Sequence, residues 1–584
     1  MIALLSAGSS PADFSNVSLN HDFMKRLSIL FSGFLLVLFV AFSAAAQDLG
    51  SIGKQKPITI NGSLGLGFGT YNVNGIPARQ RAFSYIFNGA PTLSLYGVSF
   101  PFTVVVSDQQ RSYTQPFNQY GISPTYKWAT FHAGWRSLEF SPFTLAGHNF
   151  LGGGVELNPG KLRLGFIYGR FNKAIEEDLN QPLALAQQSA YKRTAYSLKL
   201  GLGTERNHFD LIFLNGKDDV NSLAIKPTSF LLTPAQNMVL GFSSKFSFLK
   251  HFVVDMDVSG SIYTRNVLSD TIQNLELNKI NFIKKLITLN ASTQLLTAAQ
   301  TSIGYQATNY NLKVRYRRVD PDYKSMGAYY FETDVQNYTL EGMLRLLKGQ
   351  MQLSGSFGIQ NDNILHDKSF RSNRKIGSAN VSYNKPDYGI DLRYTNFGIT
   401  QDRGLNPVID MLRVARTNHN LSSVFRYSIN NESITHGFVL VGNIQSLIDL
   451  NEFTKPNSKS NSKIVNLSYQ LGLPKKSFGA NISGSYTVAD VSFGRTIFYG
   501  PTLGVSQSMD KGNLGLNAAV SYQLQRNNDI DAGNIFNINF NSSYRLGKKN
   551  AANLSINYLK SSSKDITLPS FNELRSSLGL VHSF

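Results

Sequence analysis

The chain has 584 residues, a net charge of +19, 12% aromatic residues and no cysteine. Without thiols there is no disulfide framework and no thiolate metal site, and a lipid-modified cysteine is excluded as an anchor. Apolar residues are dispersed rather than gathered into runs of about 20, the length a bilayer-spanning helix needs.

Residues 1–23 look like neither a targeting segment nor a folded domain, as if the true start were Met24. Lys25 and Arg26 then precede a mainly apolar run from Leu27 to Phe42, followed by Ser43-Ala44-Ala45-Ala46-Gln47. A basic start, an apolar middle and a small-residue cleavage site make a secretory signal peptide over 24–46, with cleavage expected after Ala46. Removing residues 1–46 takes away two basic and two acidic residues, so the mature charge is unchanged. Residues 47–56 form a short N-terminal segment, and one domain is expected over 57–584.

From there the chain repeats one pattern. Segments of about ten residues alternate apolar with polar or small side chains, which places the two kinds on opposite faces of a strand. Gly65-Leu66-Gly67-Phe68-Gly69 opens the series as a first strand with a small-residue face, not a nucleotide loop. Leu162, Leu164, Phe166 and Tyr168 share a face, as do Tyr388, Ile390, Leu392 and Tyr394, and Val465, Leu467, Tyr469 and Leu471. Phe536, Ile538, Phe540 and Tyr544 oppose Asn537, Asn539, Asn541, Ser543 and Arg545. A chain with an apolar and a wet face throughout fits a closed antiparallel transmembrane β-barrel, with lipid outside and a polar lumen inside. Tyr near the row ends fits interfacial girdles.

Short turns are expected near Gly97-Val98, Gly134-Trp135, Asn158-Pro159-Gly160, Gly203-Thr204, Lys250-His251, Asn309-Tyr310, Lys348-Gly349, Lys385-Pro386, Asn430-Asn431, Pro474-Lys475, Lys511-Gly512 and Lys548-Lys549. Gly, Pro and Asn supply most of the turn geometry. Longer polar stretches lie between them, such as 108–120, 172–191, 216–235, 266–297 and 319–334. With both termini periplasmic, twelve short turns imply 26 strands, and about 22–26 is the range that boundaries read from sequence allow. Residues 176–190 and 270–289 have helix-like spacing, and are read as surface loops in preference to lumen constrictions. The stretch Ser141–Gly154 is the least regular, with Pro142, His148 and three adjacent glycines. Glycine there marks a bulge or a loop packed on the wall, although a plain turn with a solvated His148 is the reading favoured.

The polar face carries Lys161, Arg163, Lys199, Lys313, Arg315, Arg317, Arg345, Arg393 and Arg545, against fewer acids, Asp255, Asp257, Glu341 and Asp391. A one-signed charge on a low-dielectric wall focuses potential and enriches counter-ions. Basic rings are a device of anion pores. These residues are therefore expected to line a lumen that passes polar, and by preference anionic, solutes. Pairing with the acids, or contact with lipid phosphates, is the competing explanation.

The last strand ends Leu574-Arg575-Ser576-Ser577-Leu578-Gly579-Leu580-Val581-His582-Ser583-Phe584. With the signal peptide and the strand pattern, this terminus resembles that of Gram-negative outer-membrane β-barrel proteins. The style of the sequence is similar to those of the Bacteroidota, of the porin or channel type. The resemblance implies that Leu578, Leu580 and Phe584 are read by the barrel-assembly machinery, although His582 departs from the usual aromatic or aliphatic residue. It implies a lipid bilayer and lipopolysaccharide as surroundings and no nucleic-acid partner. The plug domain of TonB-dependent receptors has no counterpart. An unplugged barrel this wide leaks unless filled, so a structural or secretion-assembly barrel closed by loops or a partner protein is the alternative function.

No H-E-x-x-H, G-x-S-x-G or P-loop motif occurs. His132, His148, His208, His251, His419 and His436 are scattered, and only pairing across strands with Ser or Asp would resemble outer-membrane phospholipases or omptin-like proteases. Asp529–Asn534 lacks the bidentate Glu of a calcium loop. No cofactor, metal site or enzymatic activity is expected.

Overall fold

The computed structural model describes residues 56–108, 118–176, 189–224, 232–271, 281–328, 332–403, 413–565 and 567–584. The expected signal peptide over 24–46 and most of 176–190 lie outside the described residues. One sheet contains 29 strand segments. Three adjacent pairs are each one strand interrupted by one or two residues: Ile58–Asn61 with Ser63–Asn74, Phe83–Gly89 with Thr92–Leu95, and Gln119–Ile122 with Thr125–Tyr126. The sheet is thus a closed antiparallel β-barrel of 26 strands. It closes where Ser63–Asn74 pairs with Phe571–Ser583, in register from Ser63 with Ser583 to Asn74 with Asn572. Closure removes sheet edges, which matters because lipid offers backbone groups no hydrogen bonds.

The ladders are uneven. Strands of the C-terminal half are long, such as Ala415–Asn430 and Ile530–Leu546. The wall around Gln119–Tyr126 is short and interrupted, meeting Val98–Ser107 through Phe102–Val105 and Ser99.

Twelve tight turns join the strands at the edge that also holds both barrel termini, and thirteen connections lie at the other edge. Eleven of the twelve expected turns fall where the sequence places them. The twelfth does not: Gly134 lies inside the strand Ala129–Ser137 at φ 90°, and the turn is at Lys127-Trp128, with Lys127 at φ 52°. The glycine signal was real, but it marks a distortion within a ladder. A Cβ at Gly134 would lie 2.5 Å from the Tyr120 carbonyl. Two of the outer connections, Ser492-Phe493 and Asn528-Asp529, are as tight as the turns opposite.

Side chains on the outer face include Phe166, Tyr168, Leu211, Leu240, Leu312, Val314, Leu467, Leu503 and Ile538, all strongly exposed. A continuous exposed apolar belt of this kind is what a bilayer covers. Aromatic rings cluster near the turn edge, with Phe248 5.2 Å from Phe252, Phe252 5.0 Å from Tyr305, and Tyr305 5.7 Å from Tyr310. Lys385 lies over Tyr383 and Tyr388 at the same level. Rings beside lysines suit an interface that is apolar on one side and anionic on the other. The C-terminal Leu574, Leu578 and Leu580 are on this outer face, and the Phe584 ring lies 4.8 Å from His582.

Residues 270–289 contain a short helix, Asn281–Leu286. Its C-terminal end is fixed by Asn215, Gln236 and Thr264. The Asn215 and Gln236 amides donate to the Leu286 carbonyl at 2.7 and 2.8 Å, and the Thr264 hydroxyl donates to the Thr288 carbonyl. These three side chains share the parity of the outward-facing Leu211, Leu240 and Val258 in their strands. The segment therefore rests on the outside of the rim, not in the lumen.

Candidate functional site: the barrel lumen

Two outer-edge segments turn inward. Residues 138–148 and 320–328 meet in a short parallel ladder, Leu145 with Gly327 and Ala146 with Ala328. The Ser325 hydroxyl donates to the Thr144 carbonyl at 2.6 Å, and Tyr323 Oη donates to the Phe143 carbonyl at 2.9 Å. Phe140, Leu145, Phe150, Phe171, Ile167, Ala195, Ile212, Leu214 and Val239 form one apolar cluster, and Phe143, Ala298, Val319, Tyr323 and Val335 form another. Ile167, Ile212, Val239 and Val319 are thus fully buried although they point away from lipid.

The wall is shaped to receive these segments. A Cβ at Gly165 would lie 2.7 Å from the Phe140 ring, one at Gly241 2.3 Å from Thr144 Oγ1, and one at Gly216 3.0 Å from Met326 Sδ. Each inward glycine leaves the depth that an inserted side chain fills. Asn237 completes the seat: its Nδ2 donates to Ser261 Oγ at 2.7 Å, and its Oδ1 accepts the Met326 N–H at 2.9 Å.

His148 belongs to this insertion. It is fully buried, against the expectation of a solvated turn, with its ring 4.6 Å from Phe171 and its Nδ1 donating to the Asn149 carbonyl at 2.7 Å. Burial pushes its pKa down to about 4; the bond to the carbonyl opposes this and nearby Arg193 adds to it. Burial also pushes the Tyr323 hydroxyl up. Where the insertion returns to the wall, Asp334 is held by the Lys368 ammonium and the Ile364 N–H. Burial would raise its pKa, but these bonds outweigh burial and hold it below the usual carboxylate range.

The nominated basic residues divide into two groups. Arg163 makes a bidentate pair with Asp210, at 2.9 and 3.0 Å, and Asp210 is almost completely buried. Lys199 pairs with Glu156 at 3.3 Å and lies 4.5 Å over the Phe140 ring. Arg315 pairs with Glu341 at 3.3 Å, and Arg317 stacks 5.7 Å from the Phe143 ring. Lys313, Arg345, Arg393 and Arg545 make no ion pair among the described residues. Lys161 is not on a wall strand; it is exposed in the turn before Leu162–Asn172.

Sequence reading missed where these residues gather. Lys161, Arg163, Lys199, Lys313, Arg345 and Arg545 all fall at or near the turn edge. Nine of the twelve turns contain Lys or Arg: Lys127, Lys161, Arg206, Lys250, Lys348, Lys385, Lys475, Lys511 and Lys548. Among the described residues, the turns hold eleven basic and four acidic residues, and the thirteen opposite connections hold thirteen and fourteen. The positive charge is therefore polarised toward one rim.

The opposite inner wall differs in kind. From Leu514 to Ser583 it presents Asn517, Asn537, Asn539, Asn541, Asn553, Ser555, Asn557 and Ser577, with Asn557 Nδ2 donating to Asn537 Oδ1 at 3.0 Å. Amides and hydroxyls donate and accept equally, so this wall wets without selecting charge. At the loop-edge mouth a cavity of about 940 Å³ lies above the insertion, lined by Tyr191, Arg193, Asp218, Tyr263, Arg265, Tyr323 and Lys324 among others.

No family model matches the chain, and no curated protein matches it. Solved structures that resemble it are large barrels. The P pilus usher (PapC) translocation pore is 8% identical, with 90% of this chain and 100% of that one covered and a TM-score of 0.39. The FrpB iron transporter from Neisseria meningitidis is 10% identical over 90% and 81%, with a TM-score of 0.33. Pseudomonas aeruginosa OpdK is 10% identical over 60% and 93%, with a TM-score of 0.31.

Proposed function

We propose that this chain is an exported outer-membrane channel that passes polar solutes between the inserted segments and the amide wall. The observation that carries this reading is the lumen itself: an Asn/Ser-rich face stands opposite a filled one, inside a barrel whose outer face is apolar. The signal-peptide pattern, with cleavage after Ala46, supports delivery to that membrane. Both termini and the basic turn rim are assigned to the periplasmic side, since short turns face the periplasm in such barrels. Leu578, Leu580 and Phe584 serve as the assembly signal. Lipopolysaccharide and phospholipid are the surrounding partners. Passage, with no cofactor, is the primary activity.

Anionic solutes are favoured. Lys313, Arg345, Arg393 and Arg545 lack ion-pair partners among the described residues, all but Arg393 lie near a rim already rich in lysine, and an aqueous pore with such a rim attracts anions. The paired Arg163, Lys199 and Arg315 contribute little, because their charge is neutralised locally. Planar-bilayer recording of the purified full chain tests both levels. Stable conductance with an anion-selective reversal potential in a salt gradient is expected. Cation selectivity would overturn the anionic preference, and absence of conductance would overturn the channel.

The second reading, a barrel closed for structural or secretion-assembly work, is favoured by one observation, the apolar insertion on the wall. Its signature would be a non-conducting barrel that co-purifies with further subunits.

A further inference from the structure

We propose that the lumen wall also carries a serine esterase site, built from Ser123, His132 and Glu156. Linear spacing hides it, since the three residues lie on different strands and in a strand break. The fold aligns them on the inner face. The Ser123 hydroxyl lies 2.9 Å from His132 Nδ1, and His132 Nε2 lies 3.3 Å from Glu156 Oε2. The Glu156 carboxylate requires the proton on Nε2, which leaves Nδ1 as the acceptor for the serine hydroxyl. That is the nucleophile–base–orienter order of acyl-transfer sites, with the two ring nitrogens exchanged.

Three further features suit the chemistry. Lys199 Nζ donates to Glu156 Oε1 at 3.3 Å, which fixes the orienting carboxylate and leaves its other oxygen for the imidazole. His132 is buried while Ser123 remains partly exposed, so the base is held and the nucleophile is reachable. Arg136 donates from Nε to the Ile122 carbonyl at 3.3 Å, which places a guanidinium one peptide from the nucleophile. A cation there stabilises a developing oxyanion.

The substrate class is a carboxylic ester of a polar solute small enough to enter the lumen. Ser123 Oγ bonds to the acyl carbon as its proton passes to His132 Nδ1. The ester C–O bond breaks, and the alkoxide leaves with that proton. Water, deprotonated by the same imidazole, then attacks the acyl-serine, releasing the acid and restoring the hydroxyl.

A purely structural role for the same contacts would pin the interrupted strand Gln119–Tyr126 to its neighbours, and the test separates the two. The full chain, refolded in detergent, is treated with a fluorophosphonate probe and the labelled peptide is mapped, with heat-modifiable migration reporting the folded barrel. Labelling of Ser123 is expected. It should be absent in Ser123→Ala, slowed about 100-fold or more in His132→Gln, and slowed to a lesser degree in Glu156→Gln. No label on Ser123 in the folded chain, or an unchanged rate in folded His132→Gln, would overturn the proposal. Should His132→Gln not fold, Ser123→Cys supplies the second measurement. Alkylation by iodoacetamide at pH 6 faster than that of an ordinary thiol, whose pKa is about 8.5, supports the site; an ordinary rate refutes it.

Discussion

Gly327 lies beside Leu145 in a parallel ladder that belongs to no wall strand of the barrel. A Cβ at Gly327 would lie 2.3 Å from Leu214 Cδ1 and 2.7 Å from the Thr144 carbonyl. The inserted segment thus touches both its partner segment and the wall at a point where only hydrogen fits, and the insertion is testable there.

Gly327→Val should displace the insertion while leaving the 26-strand ladder intact. Overpacking a tight site costs about 1–3 kcal/mol, borne by the inserted segments and not by the wall. Single-channel conductance is expected to rise, with heat-modifiable migration retained. Unchanged conductance would show that the insertion does not limit passage.

Removing one side of the Arg163–Asp210 pair should be costly. Breaking a buried pair leaves an uncompensated charge worth about 3–5 kcal/mol, and Asp210 has almost no solvent contact. Arg163→Ala should lower the urea midpoint of refolding in vesicles more than Arg545→Ala, whose side chain is exposed at the rim. Equal midpoints would contradict the assignment.

Neutralising Lys313, Arg345, Arg393 and Arg545 together should move the reversal potential toward zero selectivity without abolishing conductance. The counterpart, Arg163→Gln with Asp210→Asn, removes a neutral pair and should leave selectivity where it was. If the two variants behave alike, these four cations are not the selective element.

His148 gives the insertion a pH dependence with a definite sign. Its folded pKa is depressed to about 4, against about 6.5 for the free side chain. The folded state therefore holds it neutral, and its contribution to stability is fully present above about pH 6.5. That contribution falls as pH drops through the window and is lost below about 4. Acidification from pH 7 to 4.5 should increase open-state noise or conductance in the wild type, and His148→Phe, which stays neutral beside Phe171, should flatten that response. An identical pH response in the variant would exclude His148 as its source.

Deleting Phe584 should reduce the amount of barrel assembled in cells without changing the conductance of protein refolded from denaturant. Its ring packs on His582 at the very end of the closing strand, so the loss affects recognition more than the ladder. A parallel loss of refolding yield would make the residue structural instead.

Much of the wall was legible from the chain. Alternation of apolar and polar side chains at period two, as in Phe536–Arg545, fixes which face meets lipid, because each residue's side is set by the pleat alone. Turn chemistry gave eleven of the twelve turns, for Gly, Pro and Asn encode their geometry locally. Gly134 misled for the same reason: a glycine at positive φ serves a turn and a distorted ladder equally well, and only pairing with Gly121 and Gly152 tells them apart.

The sequence by itself determined the class of the molecule: a chain of alternating strands with a wet face and an apolar face. Only the tertiary structure decided what fills the lumen and which charges act there. The seat of Phe140 on Gly165, the neutralisation of Arg163 by Asp210, and the meeting of Ser123 with His132 and Glu156 all join residues on different strands or loops. Periodicity reports each residue's own side of the sheet, whereas these contacts depend on strand register and on where loops fold, which no local pattern encodes.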